Sequence, residues 1–335
     1  MRALGAALAL ALTVGSADAG ARLLSWSDLD GWARDDHDLA RSVFLETCGD
    51  IGAEWDVVCD GARSGGSAKA FFETAFRPVL IGDGEALFTG YYEPELRGSR
   101  RQGGAYQFPL HRLPEEVPRG KKWLTREEIE TSGVLADRAL EIVWLTDPVE
   151  KFFLQIQGSG RVRLDDGSVV RVGFGGRNGH SYRSVGREMI RLGIFQEHEA
   201  SAQRIKAWVR DNPGKGLKML WHNPSYIFFR EIEGLAENKG PLGAMNRPLT
   251  SQRSVAVDPA FVPMGAPVWI EKDGAAPLRR LMIAQDTGSA IKGAQRADIF
   301  FGSGDEAGET AGRVRDSGRM IVLLPVQRAL AMAGN

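Results

Sequence analysis

The spacing of hydrophobic positions changes along this chain of 335 residues. Near the N-terminus apolar residues recur every three to four positions, which predicts a helix over residues 27–45 and a second helix capped by Ser67. The last third carries short apolar runs divided by glycine and proline, a pattern typical of the strands of a compact barrel. These runs are residues 255–257, 267–270, 281–284, 299–301 and 320–324.

The middle third mixes both patterns. Strands are predicted at residues 140–145, 152–157, 169–174 and 226–230, and helices at residues 184–192 and 202–209. In the second of these strands, Gln155 and Gln157 are expected to share one face, because side chains alternate along a strand. Two glycine-rich stretches without periodicity, residues 97–104 and 234–243, are expected to be the points where the chain passes between two domains.

Composition places the chain among globular proteins large enough for about two domains. It is 43% hydrophobic and 25% charged, and its formal net charge is -1. No block of basic residues occurs beyond short pairs such as Arg100-Arg101 and Lys121-Lys122. This distribution argues against a nucleic-acid-binding surface and against a polybasic membrane anchor.

The first 19 residues have the features of a signal peptide. Arg2 gives a positive start, residues 3–14 are apolar, and Ala17-Asp18-Ala19 fits a cleavage site that leaves Gly20 as the first mature residue. A natively folded N-terminal helix is the alternative. No cysteine at the cleavage site offers a lipid attachment point, and no later run of 18 apolar residues predicts a transmembrane segment. We therefore expect a soluble protein exported to the periplasm.

The two cysteines, Cys48 and Cys59, are expected to form a disulfide in an oxidising compartment. Closing a loop of this length would contribute about 3 kcal/mol in the chain-entropy model. Two buried free thiols are the alternative. A zinc site would need further ligands, which Asp50 and Asp60 do not supply. We predict neither a bound metal nor a cofactor.

The most informative stretch for chemistry is residues 281–302. An apolar strand ends at Asp286-Thr287-Gly288, and Asp298 opens the next apolar run. Carboxylates at strand ends, on a rigid scaffold, suit acid–base catalysis. The ordinary alternative is a pair of turn aspartates, since aspartate is common in turns.

Other catalytic motifs fit less well. Asp286-Thr287-Gly288-Ser289 matches the aspartic-protease tetrapeptide, and residues 316–318 resemble a second copy, but only 30 residues separate the two aspartates. A retropepsin-like dimer stays open. Residues 289–292 match S-x-x-K without the other segments of penicillin-binding proteins, and residues 179–183 begin like a nucleophile elbow but lack its closing glycine. The five histidines show no metal-binding spacing; they are residues 37, 111, 180, 198 and 222.

Several segments in a fixed order resemble the lytic murein transglycosylase A (MltA) family. They are FTGYY at residues 88–92, LQIQGSG at 154–160, NGHSYRS at 178–184 and NPS at 223–225 with Phe228-Phe229. The C-terminal third, with Asp258, Asp286 and Asp298, resembles the three-aspartate (3D) domain of that family. The resemblance extends from about Ala86 to the C-terminus.

The resemblance implies a mainly β structure with helices, of the α+β class. Residues 20–96 and 239–335 would form a double-psi β-barrel with N-terminal helices, and residues 97–238 an inserted β-barrel-like domain, with a groove between the two. The family cleaves the β-1,4 bond between N-acetylmuramic acid and N-acetylglucosamine in peptidoglycan without water, leaving a 1,6-anhydro end. The implied partner is therefore a glycan strand, and proteins of cell-wall synthesis or division are further candidates. Outer-membrane attachment is not expected, because the cleavage-site cysteine of lipid-anchored members is missing.

The resemblance assigns the catalytic acid to Asp298. We expect Asp298 to be protonated at rest, with Asp286 raising its pKa or sharing its proton. Asp258 is either a third member of the site or a turn residue. Side chains expected to line the groove are Thr89, Tyr92, Gln155, Gln157, Ser159 and Lys292. A peptidoglycan-binding barrel without catalysis is the main rival interpretation.

Overall fold

A computed structural model describes residues 20–333, so the predicted signal peptide lies outside the described residues. Within that range the chain has the predicted α+β class, with fifteen strands in two sheets and ten α-helices. The strands are β1 (Ala21–Leu23), β2 (Phe76–Ile81), β3 (Leu87–Glu93), β4 (Glu95–Ser99), β5 (Phe108–His111), β6 (Glu141–Leu145), β7 (Gly160–Arg163), β8 (Val169–Arg177), β9 (Ile227–Glu231), β10 (Ser254–Val257), β11 (Pro267–Lys272), β12 (Leu278–Asp286), β13 (Arg296–Ser303), β14 (Arg315–Asp316) and β15 (Gly318–Pro325).

The helices lie mostly before β2 and inside the middle third. They are α1 (His37–Thr47), α2 (Asp56–Arg63), α3 (Ala68–Ala75), α4 (Arg126–Thr131), α5 (Pro148–Gln157), α6 (Val185–Arg191), α7 (Ala202–Asp211), α8 (Pro213–Trp221), α9 (Asp305–Gly312) and α10 (Val326–Ala333). Among the helices of residues 20–333, none combines the length and apolar character needed to cross a lipid bilayer.

The larger sheet has nine strands in the order β1-β2-β15-β11-β12-β10-β13-β3-β14. All five apolar runs predicted in the last third are confirmed as strands of this sheet. Their side chains form the main core, which also receives the N-terminal helices. The helical part is attached to this sheet at two places. The ring of Trp32 packs edge-on against that of Trp269, with ring centroids 5.2 Å apart, and a buried ion pair joins Arg253 to Asp35 at 2.7 Å. The assignment of this sheet to a double-psi barrel stays a prediction.

The N-terminal helices differ in part from the prediction. The prediction of one helix over residues 27–45 is wrong, because two short 3-10 turns precede α1, which begins only at His37. Gly31 has a left-handed φ of 80°, which interrupts the helix, and the Asp36 carboxylate caps the new start by accepting from the Leu39 N–H. The helix capped by Ser67 is confirmed as α3. Cys48 and Cys59 form a disulfide between the end of α1 and α2.

The smaller sheet has six strands in the order β5-β6-β4-β7-β8-β9. Helix α5 packs on this sheet, and α6 to α8 form a separate apolar cluster with α5. The prediction of a strand at residues 152–157 is wrong, because these residues belong to helix α5. Asp147 caps that helix, Pro148 occupies its first turn, and Gly158 ends it in the left-handed conformation. Gln155 and Gln157 therefore do not share a strand face.

The chain passes from the larger sheet to the smaller one at Pro94, between β3 and β4. The first crossing thus precedes the predicted stretch 97–104, whose first residues belong to β4 because they pair with β6 and β7. The second crossing lies between β9 and β10 and includes the predicted stretch 234–243.

Buried charges hold the two crossings together. Glu93 is 1% exposed and accepts from Arg161 Nε at 2.8 Å and from Arg171 Nη2 at 3.1 Å. The same two guanidinium groups donate to the Lys239 carbonyl of the second crossing at 3.0 and 2.9 Å. A buried carboxylate with two cationic donors is a well-satisfied arrangement. These contacts fix both crossings at one place.

Candidate active site

The site begins with two parallel neighbouring strands, β3 and β13. Their register places Thr89 directly opposite Asp298. The Thr89 hydroxyl donates to Asp298 Oδ1 at 2.5 Å, and Arg296 Nη2 donates to the same hydroxyl at 2.8 Å. Arg296 and Asp298 are two residues apart on one strand, so their side chains lie on the same face.

The environment of Asp298 favours a protonated carboxyl. Burial raises its pKa to about 6, against the opposing effects of the Thr89 hydrogen bond and the Arg296 charge. The negative charge of Asp286 also raises this pKa, but it is the smallest of these contributions. The side chain is only partly buried and keeps some contact with solvent. Asp298 can therefore hold a proton in mildly acidic solution and still reach a ligand.

Asp286 ends strand β12 on the other side of β10. Ala256 of β10 pairs with Asp298 on one side and with Asp286 on the other, so two strand spacings separate the two aspartates in the sheet. Asp286 Oδ1 accepts from the backbone N–H groups of Ala244 and Thr287, both at 2.9 Å. Burial raises its pKa, while these hydrogen bonds and one from Tyr91 oppose the rise.

Tyr91 supplies that third donor. Its hydroxyl donates to Asp286 Oδ2 at 2.8 Å, and its ring packs against Phe300 with centroids 5.3 Å apart. Burial and the charge of Asp286 raise the pKa of Tyr91 well above its usual value, so the phenol remains a neutral donor. Asp286 and Asp298 thus accept hydrogen bonds from separate donors. This arrangement differs from the sharing of one proton, which was one of the two roles expected for Asp286.

Asp258 lies just after β10 and organises the loop that follows Asp286. It accepts from the Gly293 N–H at 2.9 Å and from Lys292 Nζ at 3.3 Å. Burial alone would raise the pKa of Asp258, but these donors and the Ala260 N–H outweigh it, so the pKa is lowered. Lys292 remains 63% exposed and reaches outward from the loop. Asp258 is therefore an ionised loop anchor that pairs with a largely exposed ammonium group.

Three predicted groove residues, Tyr92, Gln157 and Ser159, lie close to the first crossing. Tyr92 points to the opposite face of β3 from Thr89, where its ring lies against Gly308 of α9. Burial, with the charges of Glu150 and Asp305, raises the pKa of Tyr92 to about 12. The side-chain oxygen of Gln157 accepts from the Tyr92 N–H at 3.2 Å, and Ser159 directly precedes β7.

Gln155 belongs to the interior of the smaller sheet's domain. It is 4% exposed, accepts from Arg126 Nη1 at 2.5 Å and donates to the Ile227 carbonyl at 2.8 Å. Buried Arg126 also bonds the Ser225 carbonyl. Gln155 therefore satisfies a buried guanidinium group instead of facing a groove, because α5 turns it inward.

Two residues of the site were not predicted, Tyr91 and Arg296. The alternation of strand side chains would have indicated both, since Tyr91 shares the Thr89 face of β3 and Arg296 shares the Asp298 face of β13. Within residues 20–333, no group of three or more histidine, cysteine or acidic side chains is arranged to hold a metal ion. The chemistry available at this site is proton transfer by a carboxyl group.

Comparisons with known proteins match both halves of the chain. The MltA specific insert domain matches residues 87–230 and the 3D domain matches residues 253–324. Membrane-bound lytic murein transglycosylase A of Escherichia coli K12 is 34% identical over 250 residues, which cover 72% of this chain. The aligned part spans 66% of the length of that relative.

Solved structures match over more of the chain. A membrane-bound lytic murein transglycosylase from Agrobacterium tumefaciens is 32% identical, with 93% of this chain and 99% of that chain covered and a TM-score of 0.84. The structure of E. coli MltA with bound chitohexaose is 28% identical, with 91% and 94% covered and a TM-score of 0.75. The described fold, both domain matches and this coverage agree: the chain belongs to the lytic murein transglycosylase A family.

Proposed function

We propose that this protein is a peptidoglycan lytic transglycosylase in which Asp298 is the only catalytic acid and base. The observation that carries the proposal is a partly accessible carboxyl group whose pKa burial raises to about 6. Such a group holds a proton at mildly acidic pH and releases it without a large penalty, as a general acid must. The substrate proposed is the bond between N-acetylmuramic acid and N-acetylglucosamine.

In the first step Asp298 gives its proton to the glycosidic oxygen, and the bond from that oxygen to the muramic acid C1 breaks. The neighbouring N-acetyl group shields the developing positive charge, as in substrate-assisted glycosidases. Thr89 stays bonded to Oδ1 and stabilises the carboxylate that remains. The departing sugar leaves with a new hydroxyl group.

In the second step ionised Asp298 takes the proton of the muramic acid C6 hydroxyl. The C6 oxygen then bonds to C1, and a 1,6-anhydro ring closes without water. One residue thus gives and recovers one proton, and the enzyme returns to its starting state.

The hydrogen bonds of Asp286 support a single-carboxylate mechanism. Retaining glycosidases place a second carboxylate about 5 Å from the acid as a nucleophile, and inverting enzymes use a second carboxylate to activate water. Three donors occupy the oxygens of Asp286. A carboxylate with that many hydrogen bonds is held in one orientation and is poorly placed to turn toward a substrate, so an internal hydroxyl of the substrate is the better attacking group.

The wider proposal keeps the domain division expected from the sequence, with its first boundary moved to Pro94. Residues 20–93 and 239–335 would form the catalytic double-psi barrel, and the smaller sheet the inserted domain. Lys292, which extends from the loop anchored by Asp258, would contact the glycan from the catalytic side. We expect the protein to act in the periplasm.

The test is to incubate the purified protein with sacculi and to analyse the soluble products by mass spectrometry. We expect disaccharide muropeptides that weigh one water molecule less than those of a lysozyme digest. Asp298→Asn serves as the control and should release none. Intact sacculi after binding would favour the peptidoglycan-binding barrel, and pepstatin-sensitive peptide cleavage would favour the retropepsin-like alternative; either result overturns the proposal.

A further inference from the structure

The Thr89 hydroxyl lies between Arg296 and Asp298, and its hydrogen bonds have a fixed direction. A guanidinium group has donors and no acceptor, so Arg296 must donate to Thr89 Oγ1 at 2.8 Å. The hydroxyl has a single proton. Because its oxygen accepts from Arg296, the hydroxyl donates this proton to Asp298 Oδ1 at 2.5 Å. Oδ1 is thereby occupied as an acceptor.

We propose that Arg296 is a positioning residue, which through Thr89 confines the acid proton of Asp298 to Oδ2. The inference rests on the proposed function, because the position of the proton matters only if Asp298 protonates a substrate. Arg296 does not touch the reacting atoms in this arrangement. It acts on Asp298 through the direction of one hydroxyl group.

The position of Arg296 is itself fixed by the backbone. Its Nη1 donates to the Leu87 carbonyl at 3.3 Å and to the Ala297 carbonyl, so the guanidinium group lies against both β3 and β13. Arg296 pairs with Leu87 in the same register that pairs Asp298 with Thr89. The acid, the hydroxyl and the guanidinium group are therefore placed by one strand pairing, which keeps their geometry before substrate binds.

Without Arg296 the Thr89 hydroxyl could rotate, and its oxygen could accept a hydrogen bond from the protonated carboxyl group of Asp298. The acid would then donate to the protein instead of the glycosidic oxygen. The charge of Arg296 also lowers the pKa of Asp298, so its loss would raise that pKa further. The other charged or titratable groups acting on Asp298 are Asp286 from β12 and, close to it, Tyr91 from β3; β10 contributes the apolar Ala256.

The first test compares Arg296→Met with wild type in the sacculus assay between pH 4.5 and pH 8. We expect the rate at low pH to fall on the order of tenfold to a hundredfold, as for a misplaced catalytic group. The pH at which activity declines should also move upward. Arg296→Lys keeps the positive charge and an N–H donor. The pH at which its activity declines should therefore lie close to that of wild type. A rate and pH profile equal to those of wild type would overturn the inference.

A double-mutant cycle with Thr89→Val tests the route of the effect. If Arg296 positions the proton through the hydroxyl, the rate of the double variant should equal that of Thr89→Val alone at pH 4.5, where Asp298 is protonated in both variants and the direct charge effect on its pKa does not enter. Additive losses would overturn that route. Arg315→Met is the matched control, because Arg315 lies on the strand beside Thr89 but pairs with exposed Glu197 instead of the Thr89 side chain. It should leave the pH profile unchanged.

A measurement without substrate separates this inference from the proposed function. Carbon-13 NMR titration of the aspartate carboxyl groups, with Asp298→Asn to assign the signal, reports the pKa of Asp298 directly. We expect a higher pKa in Arg296→Met and the wild-type value in Arg315→Met. An unchanged pKa together with unchanged activity removes the role of Arg296. Full activity in Asp298→Asn removes the proposed function, whatever the titration shows.

Discussion

Asp286 and Asp298 are two carboxylates of one sheet that pair with the same residue, Ala256, from opposite sides. Burial raises the pKa of both. They differ in the number of donors that face them, because Asp286 accepts from Tyr91, Ala244 and Thr287, whereas within residues 20–333 Asp298 accepts from Thr89 alone. The number of donors thus separates a carboxyl group that is fixed by its neighbours from one that can meet a ligand.

By the same comparison of donors, the environment of Asp258 resembles that of Asp286 more than that of Asp298. Backbone N–H groups and Lys292 hold Asp258 ionised, so its pKa falls despite burial. Of the three aspartates carried over from the family resemblance, Asp298 is the one with a carboxylate oxygen, Oδ2, that accepts no hydrogen bond from the part of the chain that the structure describes. Experiments that add or remove donors and charges should therefore affect the three residues differently.

The largest effect is expected for Asp298→Asn, which removes the exchangeable proton while keeping the shape of the side chain. Muropeptide release should fall by about 10³-fold or more, within the range for loss of a general acid–base group. The rate is measured by chromatography of soluble products. Circular dichroism and thermal unfolding should show a folded protein, and a loss below about tenfold would assign the acid elsewhere.

The wild-type rate should depend on pH through the same residue. Because burial raises the pKa of Asp298 to about 6, activity should decline as pH rises through about 6 and the acid loses its proton. Initial rates across pH 4.5 to 8 measure this. A profile flat across that window would contradict the assignment of Asp298 as the catalytic acid.

Protein stability should show the matching dependence. The unfolded chain loses the Asp298 proton near its usual pKa of 3.8, while the folded protein keeps it until about pH 6. Between these values the folded state binds more protons, so this residue makes the free energy of unfolding fall as pH rises. Urea unfolding at pH 4 and pH 7 should show Asp298→Asn gaining stability relative to wild type at the higher pH.

A smaller effect is expected for Tyr91→Phe, which leaves Asp286 Oδ2 without its side-chain donor. Losing one partner of a buried charge costs about 1–3 kcal/mol of stability. Urea unfolding at pH 7 measures the change. Tyr92→Phe is the matched control, since Tyr92 lies on the opposite face of β3 against Gly308. Equal losses in the two variants would contradict the anchoring role of Tyr91.

The smallest effect is expected for Asp286→Asn. Its negative charge raises the pKa of Asp298 only weakly, so the pH of declining activity should move slightly downward. The rate at pH 5 should stay within about tenfold of wild type, because the amide oxygen can still accept a hydrogen bond. A loss as large as that of Asp298→Asn would mean that Asp286 takes part in proton transfer itself.

The sequence was sufficient to predict the strands of the C-terminal third. Short apolar runs between glycines and prolines leave little choice but a strand, and Asp286 at the end of β12 follows from them. The expectation that Asp298 lies at a strand end is wrong, because β13 begins two residues earlier, at Arg296. Helix α5 was missed because its buried positions include Lys151 and Gln155, which hides the helical period. The signals that were overlooked are Asp147-Pro148 at its start and Gly158 at its end.

The arrangement of the site depended on pairings that no local pattern shows. Alternation along β3 places Tyr91 on the same face as Thr89, but the register between β3 and β13 decides that Thr89 lies opposite Asp298. The role of Gln155 likewise depends on Arg126, which is distant in sequence and buried beside it. The point of crossing at Pro94 required knowing that β4 pairs with β7.

The Thr89–Asp298 contact joins residues 209 positions apart, with the whole smaller sheet between them in sequence. A ribosome must therefore finish almost the entire polypeptide before the acid meets its hydroxyl partner. Fragments that end between residues 232 and 295 contain all six strands of the smaller sheet but lack β13 and the acid. A chain truncated before β13 is therefore expected to lack the proposed wall-cutting activity, even where its smaller sheet is complete.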